Sequence, residues 1–121
     1  MAVPLFLSAS TLIGDPVMNS SGEKVGDLKE IMLDVSSGRI AYGVMSFGGF
    51  LGIGQKLFAL PWAAVTVDTD DHAVVVDVTR EQLENAPGFD PENWPLPNDT
   101  RWVGDVYEYY GREPYWEAPL T

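Results

Sequence analysis

The sequence predicts a mainly β fold, in which a small six-stranded antiparallel barrel carries a short helix and an irregular, aromatic and proline-rich C-terminal extension. Two observations favour the barrel: short apolar segments recur through residues 10–78, and turn residues separate them at hairpin length. A third observation is a change of composition near Thr79, where the strand pattern ends. We therefore divide the chain into a barrel domain, residues 1–86, and an extension, residues 87–121.

Six strands are predicted, and turn-forming residues bound each of them. The predicted strands are residues 15–18, 25–35, 39–47, 56–60, 65–68 and 72–78. In the second strand Ile31, Leu33 and Val35 recur with the period of two that a half-buried strand requires. Leu28 does not fit this parity, so we expect a β-bulge near residues 26–27.

Both faces of the middle strands are partly apolar, which favours closure of the sheet into a barrel. A tight turn at residues 36–38 is expected to join the second and third strands as a hairpin. The predicted core is Val25, Ile31, Leu33, Val44, Leu57, Leu60, Val65, Val67, Val74 and Val76.

The extension begins after a predicted short helix. Thr79 and Gln82 have the spacing of a capping box, and Pro87 and Gly88 end the helix. Prolines recur beyond this point and exclude long regular elements. Of the five Phe, five Tyr and four Trp, eight lie in this last third of the chain, so the extension is expected to dock on the barrel or on a partner subunit.

A glycine-rich loop between the third and fourth strands carries Phe50, Leu51 and Ile53 and no charge. Apolar side chains on such a loop need cover, either from the barrel mouth or from a second subunit. The loop is not a nucleotide-binding loop, because Gln55 stands where the lysine is required and a strand follows it.

Charge and composition limit the function further. The net charge of −11 opposes binding to nucleic acid and to anionic membranes. The chain contains no cysteine, and the single histidine, His72, lies beside an acidic turn at residues 68–71 that does not match an EF-hand loop. Weak cation binding by that turn stays open. We expect a cytoplasmic protein with no transmembrane segment, no cofactor, no metal site and no catalytic residue.

Several motifs in order resemble the PRC-barrel family. They are LIG at residues 12–14, GEKVG at 22–26, GRIAY at 38–42, FGGFLGIG at 47–54 and FALPW at 58–62. The resemblance spans residues 8–86 and implies a small six-stranded antiparallel barrel. It also implies an adaptor role, as in the cytoplasmic part of the photosynthetic reaction-centre H subunit and the C-terminal domain of a ribosome-maturation factor.

These observations predict a non-enzymatic adaptor that self-associates, most simply as a homodimer, and that binds an unknown protein partner. The alternative is a small-molecule-binding protein or enzyme whose pocket is formed by the aromatic residues and carboxylates of the extension. The predicted interaction residues are Phe50, Leu51, Ile53, Trp94, Trp102, Tyr107, Tyr109, Tyr110, Tyr115 and Trp116.

Overall fold

The computed structural model describes residues 6–48 and 55–117, which form one six-stranded sheet with short helices around it. The strands are β1 (Pro16–Asn19), β2 (Lys24–Leu33), β3 (Ile40–Gly48), β4 (Gln55–Pro61), β5 (Val65–Asp68) and β6 (Ala73–Val76). The helices are α1 (Ala9–Leu12), α2 (Arg80–Glu84) and α3 (Thr100–Tyr109), and 3-10 turns lie at Trp62–Ala64 and Tyr115–Glu117.

The sheet has the order β4-β3-β2-β1-β6-β5, and its topology corrects the prediction of an antiparallel barrel. All neighbouring strands are antiparallel except β1 and β6, which are parallel. The cause is the connection between β4 and β5. Only the 3-10 turn Trp62–Ala64 separates them, and it does not reverse the direction of the chain. As a result β6, which is antiparallel to β5, runs parallel to β1. Within the described residues β4 and β5 do not pair, and the sheet stays open.

Irregular pairing in β2 explains which of its residues are buried. The register shifts between Lys24 and Gly26 opposite β1, and again between Leu28 and Glu30 opposite β3. The strand is therefore irregular as predicted, but the extra residues are Val25 and Lys29, on either side of the predicted position, and Leu28 between them is completely buried. At Gly26 a Cβ atom would lie 2.1 Å from the carbonyl oxygen of Ser46, so only glycine allows this close approach of β3.

The core lies between the sheet and the helices α2 and α3. Of the predicted core residues, six are buried: Val25, Val44, Leu57, Leu60, Val74 and Val76. Ile31, Val65 and Val67 are half-buried against the same cluster. The prediction for Leu33 is wrong: it is the last residue of β2, and at this end of the strand its side chain is 63% exposed.

The helices partly correct the predicted irregular extension. The capping box of α2 is confirmed: the Thr79 hydroxyl accepts from the Gln82 amide at 3.0 Å, and Gln82 accepts from the Thr79 amide at 2.8 Å. The prediction of no long regular element was wrong for α3. No proline occurs between Pro97 and Pro114, and Asp99 caps the helix by accepting from the Trp102 amide.

The extension also covers the edge of the sheet at β4. The Leu57 amide donates to the Phe89 carbonyl at 2.9 Å, and the Phe89 amide returns a bond to the Leu57 carbonyl at 2.8 Å. This bridge pairs part of an edge that would otherwise present free backbone groups. Together with α3, it places the aromatic residues of the extension against the sheet.

Candidate functional site

The ten predicted interaction residues lie in different environments. Phe50, Leu51 and Ile53 lie outside the described residues. Tyr107 and Tyr110 are buried in the core of their own chain. Trp102 and Tyr115 are half-buried, whereas Trp94, Tyr109 and Trp116 each expose more than a third of their surface. Within the described part of the chain, the exposed aromatic surface of the extension is therefore formed chiefly by these last three residues.

Hydrogen bonds join α3 to the sheet and to α2. The buried Tyr107 hydroxyl donates to the carbonyl of Ala41 in β3. The Tyr109 hydroxyl donates to the carbonyl of Gln82 at 2.7 Å. Burial raises the pKa of Tyr107, so this hydroxyl remains protonated as a donor across the physiological range. These bonds position the aromatic face of α3 on the sheet.

Tyr115 connects the end of the described chain to the β2–β3 hairpin. Its hydroxyl donates to the Asp34 carboxylate at 2.5 Å, and Arg39 donates to its carbonyl oxygen at 2.6 Å. The hydrogen bond from Tyr115, followed by one from Ser36, lowers the pKa of Asp34 from 3.8 to about 2. Burial, together with this bond, raises the pKa of Tyr115. The contact therefore joins an ionised carboxylate to a neutral phenol at neutral pH.

An open groove of about 640 Å³ lies beside this contact. One wall is the β2–β3 hairpin with the start of β3, and the other is the proline-rich segment before α3 with the first turn of that helix. The 3-10 turn at Tyr115–Glu117 closes part of the rim. The aromatic residues that line the groove are Tyr42, Trp94, Trp102, Tyr115 and Trp116.

Ring contacts and a hydrogen bond hold the aromatic wall in place. Trp102 packs edge-on against Tyr42 and Phe89, with ring centroids 5.6 and 5.8 Å apart. Trp94 contacts Phe89 at 5.1 Å, and its indole nitrogen donates to the Pro91 carbonyl at 2.9 Å. Such edge-to-face pairs fix ring orientation as well as burying area. The groove is thus a preformed surface.

Five large apolar side chains are exposed along this one groove. Their exposed fractions are 63% for Leu33, 97% for Val35, 37% for Trp94, 70% for Leu96 and 40% for Trp116. Sequence reasoning identified the two tryptophans and missed the aliphatic residues. Leu33 and Val35 fit the pattern of a buried strand face, and Leu96 lies between two prolines with no periodicity to mark it.

The groove lining carries a small negative charge. Among the described residues that line it, the ionisable carboxylates are Asp34 and Asp99. Both accept hydrogen bonds from their own chain, Asp34 from Tyr115 and Asp99 from the Trp102 amide. The chain as a whole has eighteen acidic and seven basic residues, so the groove lining shares the acidic character of the chain.

The acidic turn before β6 is held by hydrogen bonds within the turn. The Asp68 carboxylate accepts from the amides of Asp70 and Asp71 at 3.0 and 3.1 Å, and His72 is exposed with φ 51°. In the described parts of the chain, no group of three or more His, Cys, Asp or Glu side chains is placed to hold a metal ion. None of the helices in residues 6–48 and 55–117 has the length and apolar character needed to cross a membrane.

Comparison with known proteins supplies a family. A family model described as PRC-barrel domain matches residues 5–83. No curated protein sequence matches the chain. Among solved structures, it is similar to a 16S ribosomal RNA processing protein, RimM, from Pseudomonas aeruginosa, at 18% sequence identity and a TM-score of 0.40. That match covers 62% of this chain and 45% of the other, so the chain spans less than half the length of that protein.

Proposed function

Since this chain belongs to the PRC-barrel domain family, we propose that it is a non-enzymatic protein-interaction module that self-associates through the apolar groove. The described residues that line the groove carry no cation, and their two carboxylates are already hydrogen-bonded within the chain. Acid–base chemistry needs a titratable group free to reach a substrate. The arrangement therefore favours contact over catalysis.

One observation carries the proposal: Leu33, Val35, Trp94, Leu96 and Trp116 are exposed along the same groove. Together they leave on the order of 500 Å² in water, near the upper end of single apolar patches on monomers. Burying such area is favourable by roughly 25 cal/mol per Å². The groove lining carries two carboxylates and no cation, so repulsion between two acidic copies opposes the contact and the burial of apolar area has to outweigh it.

A ligand-binding role for the groove is the second candidate. A volume of about 640 Å³ lies in the range of small-molecule sites, and the lining is apolar and aromatic. A binding site also needs polar groups that point at the ligand, whereas Asp34, Asp99 and the Trp94 indole bond within the chain. We therefore favour a protein surface as the occupant of the groove.

The experiment is sedimentation equilibrium of the wild type and of Leu96→Asp, with Phe6→Asp as the matched control. Leu96 and Phe6 are both exposed, at 70% and 90%, so neither aspartate removes core packing. We expect the wild type and Phe6→Asp to dimerise and Leu96→Asp to remain monomeric. A Leu96→Asp chain that dimerises like the wild type would refute the role of the groove.

The glycine-rich loop is tested in the same measurement. Phe50→Asp places a charge among the loop's apolar residues, which lie outside the described residues. If the groove is the contact, this variant dimerises. If Phe50→Asp alone dissociates the dimer, self-association stands and the loop replaces the groove as its surface.

A further inference from the structure

The tip of the β2–β3 hairpin, which forms one wall of the groove, also presents an apolar projection to solvent. Val35, in the turn after β2, is 97% exposed, and Leu33 precedes it at 63%. The turn is rigid, because the Asp34 carboxylate accepts from the Ser36 amide at 3.0 Å and from the Ser36 hydroxyl at 2.7 Å. Gly38 adopts the left-handed conformation that completes the turn, with φ 76°.

A projection and a groove on the same face make that face self-complementary. A two-fold axis repeats every contact twice, so one arrangement can place each projection in the other copy's groove. This inference rests on the self-association proposed above. We infer that, in the dimer, each copy places the tip of its β2–β3 hairpin in the groove of the other copy. Val35 of each copy packs against Leu96 and Trp116 of the other.

Both surfaces are preorganised, which lowers the entropic cost of docking. Hydrogen bonds within the turn hold the hairpin tip, and the bond from Trp94 to Pro91 holds the opposite wall. Pro95 and Pro97 flank Leu96 and restrict its backbone. The Leu96 side chain is therefore presented to solvent from a stiff segment.

The charges agree with a second copy as the occupant. The residues at the hairpin tip after Asp34 are Val35, Ser36, Ser37 and Gly38, which carry no charge. The segment that faces them, residues 95–98, is uncharged as well. The Asp34 carboxylate accepts a hydrogen bond from the Tyr115 hydroxyl of its own chain. Two chains of net charge −11 can therefore meet here without opposing unpaired carboxylates at the centre.

The exposed apolar area is sufficient for a weak dimer, and the charge of the chains opposes a tighter one. A standard interface buries about 800 Å² per partner, and the exposed apolar patch supplies most of that. Repulsion between two acidic chains opposes it. We therefore expect a dimer in the micromolar range.

The test uses the absence of cysteine in the chain. Val35→Cys and Leu96→Cys chains, one of them enlarged by a tag, are mixed with a short bis-maleimide linker. The exchanged dimer places the two thiols side by side, so the mixed product should form about tenfold faster than with a Thr66→Cys control paired with Leu96→Cys, given the high effective concentration in a dimer. Thr66 is exposed on β5, away from the groove lining.

Each other outcome overturns the inference. If Val35→Cys links mainly to itself, the hairpin tips meet on the axis and do not enter the grooves. If sedimentation shows a dimer and the mixed pair does not link, self-association stands and the exchange is refuted. If the chains stay monomeric and unlinked, the proposed self-association fails with it, and the groove belongs to a different occupant.

Discussion

The hydroxyl of Tyr107, on α3, donates a hydrogen bond to the backbone carbonyl of Ala41, sixty-six positions earlier in β3. Ala41 is the extra residue of a bulge, since Met32 pairs with Tyr42 and Leu33 with Ile40. Its carbonyl therefore needs a partner from outside the ladder. Tyr107, which is fully buried, supplies it and makes the extension part of the fold.

Tyr107→Phe should destabilise the protein by about 1–3 kcal/mol, because it leaves the carbonyl of Ala41 without this donor. Urea unfolding followed by circular dichroism measures the change. Tyr109→Phe is the matched control on the same helix. Its hydroxyl is bonded to Gln82 at an exposed site where water can replace it, so we expect a change within about 0.5 kcal/mol. Equal losses of stability in the two variants would show that the buried hydrogen bond of Tyr107 contributes no more to the free energy of unfolding than the exposed one of Tyr109.

The Asp34–Tyr115 contact predicts a dependence of stability on acid pH. The folded pKa of Asp34, about 2, lies below its ordinary value of 3.8, chiefly because Tyr115 donates to it. The contribution of this contact to the free energy of unfolding is therefore present above about pH 4 and is lost as pH falls towards about 2. The stability difference between the wild type and Asp34→Asn should shrink over that window in urea unfolding.

Tyr115→Phe tests the same contact from its other side. It removes the hydroxyl that donates to Asp34 and leaves the carboxylate in place. Because this bond is the largest cause of the lowered pKa of Asp34, the stability difference between the wild type and Tyr115→Phe should also shrink over this window. An Asp34→Asn difference that stays constant from about pH 4 to about pH 2 would mean that the contact with Tyr115 does not favour the ionised carboxylate.

Gly88 and Gly104 should respond to alanine with opposite signs. At Gly88 a Cβ atom would lie 2.9 Å from two ring carbons of the buried Phe58, so Gly88→Ala should cost about 1–3 kcal/mol. At Gly104, inside α3, the nearest atoms belong to Trp116 at 3.7 Å, an ordinary contact. Gly104→Ala should therefore stabilise the helix by about 0.5–1 kcal/mol. Thermal unfolding of both variants measures the two changes in stability. A Gly88→Ala chain as stable as the wild type would contradict the close contact between Gly88 and β4.

The strands and the second helix could be predicted because their signals are local. Alternation and turn residues located all six strands within a few residues, and the Thr79–Gln82 spacing located the helix cap. The direction of β6 against β1 could not be predicted, because it depends on whether a three-residue connection reverses the chain. Neither the prolines nor the aromatics of the extension indicated α3, which needs only a proline-free window and a capping Asp99.

The groove could be predicted only in part, because it joins residues far apart in sequence. The tryptophans of the extension were expected to make contacts, and Trp94 and Trp116 do line the groove. Its other wall includes Leu33, which has a core pattern in the sequence but is exposed at the end of β2. Periodicity could not show this, because the alternation of Ile31, Leu33 and Val35 continues past the residue at which the strand ends.

Sedimentation velocity of the wild type, from low to high micromolar concentration and at two ionic strengths, tests the central claim most directly. At about 0.01 M salt the Debye length is about 30 Å and the acidic chains repel, whereas at about 0.15 M it is about 8 Å. We predict a dimer that strengthens as salt rises, because the groove is apolar and the surrounding charge opposes association. A chain that stays monomeric at high micromolar concentration in both buffers would contradict self-association.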